Sequence, residues 1–483
     1  MLKEDSKGLR RLALLLVSCV PRVLAAFWLP NAFGDAYAYI KEVETLTAKL
    51  SSGAFRLTDL YGFWLPLYQF ICALLSLLFG HPFYVSKLVS ALFGAGVCLL
   101  VYEISLRLTG NMKASLAAFA LVALSPLHIF NSASSMTDIP HAFFVVAGVY
   151  FVLRKHWIAA ASCIALAGLT RVDSWMLIAL IPALQFLTER RVSILACLIL
   201  IAPPAFWLYV SWKATGDPFA CFVVRRQYMD WLLSVNPSLA SFSIYGIARD
   251  AGSLLLSTDI AVLAACLFAA WLAVKQKPRD VLDVLTVNLF FFAFLSFLAL
   301  AYLTHKQPII FPRYGLILFA LGAPVLPWAY LEIKRRNATV SRKLLRAIIA
   351  ACLFNASLQL AYSAGYINRE YKHGAVAAYL QTQFQPAQNS RIFCDDGTVL
   401  ALSNIAPENF LSSSEAPRER EAFLNFLKEK RVEYLVFVNR MDSTPARLFP
   451  ELKSGAGNEI FQPVMHASSR FLPADIYLYR VRD

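Results

Sequence analysis

Residues 9–39 read LRRLALLLVSCVPRVLAAFWLPNAFGDAYAY, an apolar run that ends in a polar segment with one carboxylate, Asp35. A helix that crosses a bilayer needs about 20 mostly apolar residues, and this run supplies them up to Trp28. No small-residue cleavage site is evident in it, so we expect a permanent first transmembrane helix and not a cleaved signal peptide. Asp35 then lies just past the end of that helix.

Similar apolar runs recur along the chain to about residue 364. Of the 483 residues, 58% are hydrophobic and only 16% are charged, a balance typical of a polytopic α-helical membrane protein. The runs predict about eleven transmembrane helices. They are expected near residues 9–28, 84–106, 114–131, 139–153, 157–170, 174–188, 192–212, 252–274, 281–303, 311–331 and 344–364.

The run 64–79 decides the orientation, because Pro66 interrupts it near its start. If this run stays outside the bilayer as a juxtamembrane helix, all the basic loops share one side with the basic N-terminus. The positive-inside rule makes that side cytoplasmic. We therefore predict a cytoplasmic N-terminus, an extracytoplasmic C-terminus and an extracytoplasmic Asp35, in a cell (plasma or inner) membrane.

The charge and the cysteines exclude several classes of protein. The net charge is +14, but Lys and Arg are spread among short loops, as in a protein whose topology they set, so we expect no nucleic-acid partner. The nine cysteines lie mostly within apolar runs and show no Cys-x-x-Cys or Cys/His metal spacing. Neither a disulfide framework nor a zinc site is predicted.

Two domains are expected. Residues 1–370 form the transmembrane domain, with juxtamembrane helices within 36–80 and a long outer loop at 213–251. Residues 371–483 are more polar and predict a small extracytoplasmic α/β domain. Its strands are expected at 391–394, 432–438 and 476–481, and its helices at 373–383 and 417–430.

This topology gathers ionisable and tyrosine side chains on the outer face. Such groups at membrane depth are costly and tend to face a polar cavity. The candidates are Asp35, Tyr37, Tyr39, Asp59, Asp138, Arg171, Asp173, His305, Lys306, Arg313 and Tyr314.

The chemistry that fits these residues is transfer of a group from a lipid-linked phosphate. One carboxylate, Asp35, would take a proton from an acceptor hydroxyl, while fixed cations stabilise the departing phosphate. The cations would be Arg313, His305, Lys306 and Arg171. The chain has no Asp-x-Asp motif of the nucleotide-sugar type, so no cofactor is expected to be required. A divalent metal held by acidic residues is the alternative.

Each candidate also has a structural explanation. Asp35 and Asp138 could cap the helices that follow them. Arg171 could pair only with Asp173, and Arg313 could be an interfacial or topology residue. His305 and Lys306 could be solvated loop residues. The segment Asp395-Asp396-Gly397 is expected to be a plain turn and not a cation site.

The order of these features resembles the C-type (GT-C fold) membrane glycosyltransferases, in particular the protein O-mannosyltransferases and the lipid A aminoarabinose transferase. The resemblance covers residues 9–331. It rests on an acid after the first helix, a juxtamembrane helix closing at Leu78-Phe79-Gly80, a second acid at Asp138, and the pair Arg313-Tyr314 before a late helix.

The resemblance implies roles for these residues. Asp35 matches the catalytic acid, Tyr39 a tyrosine near the donor, and Asp138 the second acidic position. Arg171 and Arg313-Tyr314 fall where relatives have basic residues. Two departures are the single acid at Asp35, where relatives often have two, and Leu65-Pro66, where a Lys-Pro pair often approaches the lipid phosphate.

The implied function is inverting transfer of a sugar, mannose or another hexose or pentose, from a polyprenyl-phosphate carrier. The acceptor would be a hydroxyl on a lipid, glycan or protein at the extracytoplasmic face. A polyprenyl-linked glycan ligase or polymerase is one alternative. A lipid or sugar transporter is another, although the repeated halves and paired broken helices expected of many transporters are not evident in the sequence.

Overall fold

Helices dominate the protein, and strands occur only after residue 390 among the residues described. The computed structural model describes residues 2–235, 243–275, 282–304, 309–385, 390–413, 415–438, 443–467 and 475–482. The chain forms two compact units. The membrane unit comprises Met1–Leu29, Glu42–Met229 and Leu239–Leu360, and the C-terminal unit comprises Pro30–Lys41, Asp230–Ser238 and Ala361–Asp483.

The helices follow one another with short connections. The first ten are α1 Leu2–Trp28, α2 Asp35–Ser51, α3 Leu67–Phe79, α4 Pro82–Thr109, α5 Met112–Ala123, α6 Pro126–Ser132, α7 Asp138–Leu153, α8 Trp157–Thr170, α9 Leu177–Glu189 and α10 Ile194–Thr215. The next seven are α11 Ala220–Val235, α12 Ile244–Thr258, α13 Ile260–Lys275, α14 Leu282–Leu303, α15 Leu316–Gly322, α16 Val325–Arg336 and α17 Ala338–Gln383. Short 3-10 turns lie at Leu57–Leu60, Val172–Met176 and Pro312–Gly315.

The protein is a multi-pass membrane protein by the length and composition of its helices. Six helices in the described ranges are long and apolar enough to cross a bilayer, or up to nine if each of three bent pairs is one span. Three shorter apolar helices are α3, α7 and α8. The predicted helical class is confirmed and the predicted spans fall on helices, but the number of eleven stays a prediction.

Three parts of the predicted layout need correction. The spans expected at 114–131, 252–274 and 311–331 are bent pairs of helices, with bends of 61°, 84° and 47°. The sharpest bend, between α12 and α13, lies at Asp259, which has a φ of 68°. The loop expected at 213–251 is largely helical, since it contains α11 and the start of α12; residues 236–242 lie outside the described part. The helices expected at 344–364 and 373–383 are one continuous helix, α17, of 46 residues.

Small residues let the spanning helices approach closely, as is common in membranes where helix association depends on packing. At Gly148 in α7, an added Cβ would lie 2.7 Å from the Cδ1 of Ile164 in α8. That distance is shorter than a van der Waals contact, so a larger residue here would require the Ile164 side chain to shift. Beside α7 and α8, the main apolar core includes buried residues from α4, α13, α14 and α15.

Several basic loops lie at one end of the membrane unit. Arg11 of α1 and Arg154 after α7 both reach Glu103 near the end of α4, at 2.8 and 3.8 Å. Arg107, one turn further along α4, pairs with Asp283 at the start of α14 at 2.8 Å. We call this the basic end. Because α7 has 16 residues and rises 1.5 Å per residue, Asp138 at its start lies about 24 Å from this end along the helix.

The C-terminal unit contains a five-stranded sheet in the order β2-β1-β3-β5-β4. The strands are β1 Arg391–Cys394, β2 Phe410–Leu411, β3 Val432–Val438, β4 Phe461–Ala467 and β5 Ile476–Val481. β1 runs parallel to β2 and β3, whereas β5 is antiparallel to β3 and β4. The helices of this region are α18 Gly397–Leu402, α19 Arg420–Glu429 and α20 Thr444–Leu448.

Apolar side chains cover both faces of the sheet, as expected for an α/β layer structure. One face packs against the end of α17 through Val376, Ala377 and Leu380, and the other packs against α19 through Phe423 and Leu427. The three predicted strands are confirmed as β1, β3 and β5. The predicted boundary at 370/371 stays a prediction; the compact units differ from it in grouping Pro30–Lys41 with the C-terminal segment.

Glu42 in α2 is a half-buried carboxyl that gives a prediction about the pH dependence of stability. Burial raises the pKa of Glu42 to about 7, although a hydrogen bond from Gln69 at 2.9 Å opposes the rise. The folded state therefore binds a proton that the unfolded state releases near its usual pKa of 4.5. Stability should fall as pH rises from about 4.5 to about 7 and then level off.

We expect Glu42→Gln, which keeps the shape and can still accept from Gln69, to raise the melting temperature at pH 8 and to change it little at pH 5. Thermal unfolding of both proteins in the same detergent checks this. Equal melting temperatures of the two proteins at pH 8 would contradict it.

Candidate functional site

Three charged residues meet at the end of the membrane unit opposite the basic end. Arg171 directly follows α8. Its guanidinium donates from Nη1 to Asp138 Oδ1 at 3.0 Å and from Nε to Asp173 Oδ2 at 2.9 Å. Asp138 opens α7, and Asp173 lies in the 3-10 turn before α9. One cation thus holds two carboxylates from different elements.

Helix capping does not account for the contact between Asp138 and Arg171. The N-cap residue of α7 is Thr137, which makes no side-chain cap hydrogen bond, and Asp138 follows it with a side chain only 5% exposed. Its Oδ2 is buried and has no hydrogen-bond partner in the part of the chain described. The carboxylate therefore has one oxygen held by Arg171 and one that can accept a hydrogen bond from a ligand.

Arg313 and Tyr314 join this group from the 3-10 turn Pro312–Gly315, before α15. The Arg171 guanidinium carbon lies 5.5 Å from the centre of the Tyr314 ring, and that of Arg313 lies 5.3 Å from it. Arg313 also lies 5.4 Å from the Phe311 ring and is only 9% exposed. The Tyr314 ring therefore lies within cation–π distance of two guanidinium groups.

These residues line one small, partly open pocket. Its polar wall contains Asp138, His141, Arg171, Asp173, Arg313 and Tyr314. Its apolar wall consists of Phe294, Phe297 and Leu298 of α14 and Ile317 of α15. A pocket lined by both charged and apolar side chains suits a ligand with an anionic head and a hydrocarbon part.

His141 is a pocket residue that the sequence analysis missed. It lies one helical turn after Asp138 on α7, its Nε2 is 2.7 Å from Ser174 Oγ, and its ring meets the Phe294 ring edge-on at 5.7 Å. The spacing i, i+3 from Asp138 placed both side chains on one face of the helix. That spacing was the available signal.

Asp35, Tyr37 and Tyr39 belong to the C-terminal unit. Asp35 is the first residue of α2 and is half-buried, whereas Tyr37 and Tyr39 are 4% and 3% exposed. Burial raises the pKa of the Tyr37 phenol, and the negative charge of Glu370 adds to the rise. The expected meeting of these residues with the pocket of the membrane unit stays a prediction.

The remaining candidates have other outcomes. Asp59 pairs with Lys49 at 2.7 Å and accepts the backbone N–H of Arg56, and both contacts lower its pKa. These contacts give Asp59 a structural role in the turn after α2. His305 and Lys306 lie outside the described residues.

The Asp395-Asp396-Gly397 segment is the predicted turn after a strand. Asp395 follows β1 and accepts hydrogen bonds from Ser413 and Ser443, whereas Asp396 caps α18 through the backbone N–H groups of Thr398 and Val399. The described part of the chain holds no group of three or more His, Cys, Asp or Glu side chains arranged to bind a metal ion. The expectation about metal dependence therefore remains to be tested by experiment.

Comparison with protein families gives a match over the first third of the chain. Residues 14–184 match the model of the family described as dolichyl-phosphate-mannose-protein mannosyltransferase. A curated relative, an uncharacterised protein of Aquifex aeolicus (strain VF5), is 24% identical over 310 residues, which is 60% of this chain and 58% of the relative. The matched stretch therefore spans little more than half of that relative's length.

Comparison with solved structures extends the similarity to nearly the whole chain. The archaeal oligosaccharyltransferase AglB from Archaeoglobus fulgidus, in complex with an inhibitory peptide and a dolichol-phosphate, aligns with a TM-score of 0.54 at 12% identity over 98% of this chain and 74% of its own. ArnT from Cupriavidus metallidurans, bound to undecaprenyl phosphate, aligns with a TM-score of 0.55 at 12% identity over 97% of each chain.

These similarities confirm the resemblance on which the sequence analysis relied. At 12% identity the solved structures show the fold, and the family match adds a signature over residues 14–184, which include Asp35, Asp138 and Arg171. The chain is a membrane protein with the C-type glycosyltransferase fold, similar to the dolichyl-phosphate-mannose-protein mannosyltransferases.

Proposed function

We propose that this protein transfers a sugar from a polyprenyl-phosphate carrier to a hydroxyl acceptor at the extracytoplasmic face of the membrane. The observation that carries the proposal is the pocket in which Arg171 and Arg313 lie beside Tyr314 and which apolar side chains of α14 and α15 also line. A polyprenyl-phosphate has a phosphate for the guanidinium groups and isoprene units for the apolar wall. Two solved relatives with this fold hold dolichol-phosphate and undecaprenyl phosphate.

The cations have a direct catalytic use in this reaction. When the sugar leaves its carrier, negative charge grows on the phosphate oxygens, and guanidinium groups fixed beforehand stabilise that charge. Arg171 is held in place by Asp138 and Asp173, so it needs little reorganisation when the charge develops. Arg313 supplies the second guanidinium, and arginine suits phosphate because its planar fork can donate two hydrogen bonds.

The carboxylates divide the remaining work. Asp35 is the proposed base: it takes the proton of the acceptor hydroxyl as the oxygen attacks the anomeric carbon and the bond to phosphate breaks. Asp138 is a less suitable base, because its Oδ1 is already held by the Arg171 guanidinium at 3.0 Å. Its Oδ2 is better placed to accept a hydrogen bond from a substrate hydroxyl.

The charge distribution supports the extracytoplasmic side. Arg11, Arg107 and Arg154 gather at the basic end of the membrane unit, which the positive-inside rule assigns to the cytoplasm. Asp138 starts α7 at the opposite end. We infer a location in the plasma or inner membrane, with the pocket opening outward.

The direct test is transfer of radiolabelled sugar from a panel of polyprenyl-phosphate monosaccharides, in membranes that contain either the wild-type protein or Asp35→Asn. Label that moves only with the wild type would support the reaction and would name the sugar. Folded wild-type protein that moves no label from any donor would contradict the proposal and favour a diphosphate-linked donor, a glycan ligase or a transporter.

We also expect transfer to survive chelation. Arg171 already binds one oxygen of each carboxylate of the pocket, Asp138 and Asp173, so these groups are occupied by a cation of the protein itself. Activity after EDTA treatment and dialysis should stay within about twofold of the untreated protein. Loss of activity that added Mg²⁺ or Mn²⁺ restores would instead support the alternative of an acid-bound metal.

A further inference from the structure

A buried group of ionisable side chains lies in the C-terminal unit and shares no residue with the lining of the pocket described above. Glu370 and His373 stand one turn apart on α17 and are each 1% exposed, and Asp396 before α18 is 2% exposed. Placing such groups out of water costs several kcal/mol per ion unless partners compensate. The group therefore has to be held by specific contacts.

Those contacts tie α17 to the start of α18. Asp396 Oδ1 accepts the backbone N–H groups of Thr398 and Val399 at 3.1 and 3.0 Å, while its Oδ2 lies 2.9 Å from His373 Nδ1. Glu370 Oε2 accepts the Thr398 hydroxyl at 2.7 Å. One carboxylate, Asp396, thus caps α18 and lies beside the His373 imidazole, and a second, Glu370, binds the side chain of Thr398 in the same helix.

The segment that carries Asp35 packs on these two helices. The Phe33 ring lies 5.2 Å from the ring of Tyr366 on α17. At the start of α18, a Cβ added to Gly397 would be 3.6 Å from the Gly34 carbonyl oxygen. The Tyr37 side chain is buried, and the negative charges of Glu370 and Asp396 both act on its phenol. The residues on either side of Asp35 thus contact the elements that the polar group holds together.

We propose that Glu370, His373 and Asp396 are positioning residues for Asp35. They lock α17 to α18, and that pair of helices holds the Pro30–Lys41 segment in the geometry that presents the carboxylate. The C-terminal domain therefore takes part in transfer through the base. This inference rests on the proposed function, in which Asp35 accepts the proton.

The energetic argument favours positioning over ordinary packing. Apolar residues of similar volume would stabilise the junction of α17 and α18 without a desolvation cost. Directional polar contacts instead favour one arrangement of the elements that they join, because each partner has only a few acceptable geometries. A base has to be held to within a fraction of an ångström, and a displacement of about 1 Å can cost about 100-fold in rate.

The test uses the full-length protein with Asp396→Asn, His373→Phe and the milder Thr398→Val, which removes only the hydroxyl that binds Glu370. The matched control is Asp395→Asn. Asp395 is the neighbouring carboxylate, and it accepts hydrogen bonds from Ser413 and Ser443. Two quantities are measured. They are kcat and KM for the polyprenyl-phosphate sugar, and hydrogen–deuterium exchange of the peptide covering residues 30–41.

We expect kcat to fall about 10- to 100-fold in the first two variants and less in Thr398→Val, with KM for the donor within about twofold. Hydrogen–deuterium exchange of the 30–41 peptide should be faster than in the wild type, and the increase should be larger in Asp396→Asn and His373→Phe than in Thr398→Val. In Asp395→Asn, kcat and the exchange of this peptide should match the wild type. If Asp396→Asn fails to fold, Thr398→Val gives the same comparison.

Unchanged kcat and unchanged exchange in His373→Phe and Thr398→Val would overturn the inference. Equal losses in the Asp395→Asn control would do so too, because they would show a general effect of damage to the domain. Failure of the proposed function gives a different pattern: the wild type would transfer no sugar from any polyprenyl-phosphate donor, while exchange of 30–41 would still report whether the three residues position the segment.

Discussion

Asp35→Asn should lower kcat for sugar transfer by at least about 100-fold, because general-base catalysis typically contributes 10²- to 10⁴-fold and an amide cannot accept the proton. The amide has nearly the same size as the carboxylate, and Asp35 is half-buried at the first turn of α2, so the fold should persist. KM for the donor should change little, since Asp35 acts on the acceptor hydroxyl. Steady-state transfer from a polyprenyl-phosphate sugar, measured with purified protein, checks this.

The control for this prediction is Asp59→Asn. Asp59 has the same side chain and lies on the same stretch between α1 and α3, but its contacts to Lys49 and Arg56 are structural. The variant should retain transfer within about twofold, since an ion pair of this kind is worth little in stability. If Asp35→Asn keeps full turnover, Asp35 is not the base, whereas equal loss in Asp59→Asn would indicate a general disturbance of the segment.

Arg313→Gln should lower kcat by about 100- to 1,000-fold, the cost typical of removing one preorganised group that stabilises developing charge. The guanidinium is 9% exposed and lies beside Tyr314 and Phe311, so water cannot readily replace it. Arg313→Lys keeps the charge but loses the planar fork, so its kcat should lie between those of the wild type and Arg313→Gln. Donor affinity should decrease as well, because the ground-state phosphate is also an anion.

Arg335→Gln is the matched control for the change of charge. Arg335 lies on α16, its side chain is 74% exposed, and it forms an ion pair with Glu332. Its loss should leave kcat and donor affinity within about twofold. Donor affinity and kcat that do not change in Arg313→Gln would show that the phosphate is bound elsewhere.

The positions of the spanning helices follow largely from sequence, because long apolar runs bounded by basic loops have few alternatives in a bilayer. The break at Asp259 was not predictable from hydropathy, since both flanking helices are apolar; the sharp turn depends on a single residue with a positive φ. The continuity of α17 was missed for the opposite reason. Its polar turn with Glu370 and His373 suggests a chain leaving the helix, but Asp396 and Thr398 compensate these groups within the fold.

The sheet shows the same limits. β3 and β5 are runs of β-branched and aromatic residues, and such runs predict strands directly. β2 has only two residues, and β4 lies at the edge with Pro463 inside it and with exposed side chains, so neither carries a strand pattern. Edge strands are stabilised by a neighbour more than by their own sequence, and here β5 is that neighbour for β4.

For the candidate site, residue type and topology were enough to select Asp138, Arg171, Arg313 and Tyr314, which line one pocket. The contacts that distinguish the roles of these residues were not predictable from the sequence. Only the structure shows that Arg171 holds Asp138 and Asp173 together, and that His141 and the phenylalanines of α14 complete the wall. These contacts join residues that are distant in sequence, so no local pattern encodes them.

The most direct measurement compares one radiolabelled sugar presented on three carriers to the purified protein: a polyprenyl monophosphate, a polyprenyl diphosphate and a nucleotide diphosphate. The account predicts transfer from the polyprenyl monophosphate, with release of the free polyprenyl phosphate in equal amount and with loss of both in Arg313→Gln. Transfer only from the nucleotide or the diphosphate carrier would contradict it, because the pocket would then serve another leaving group.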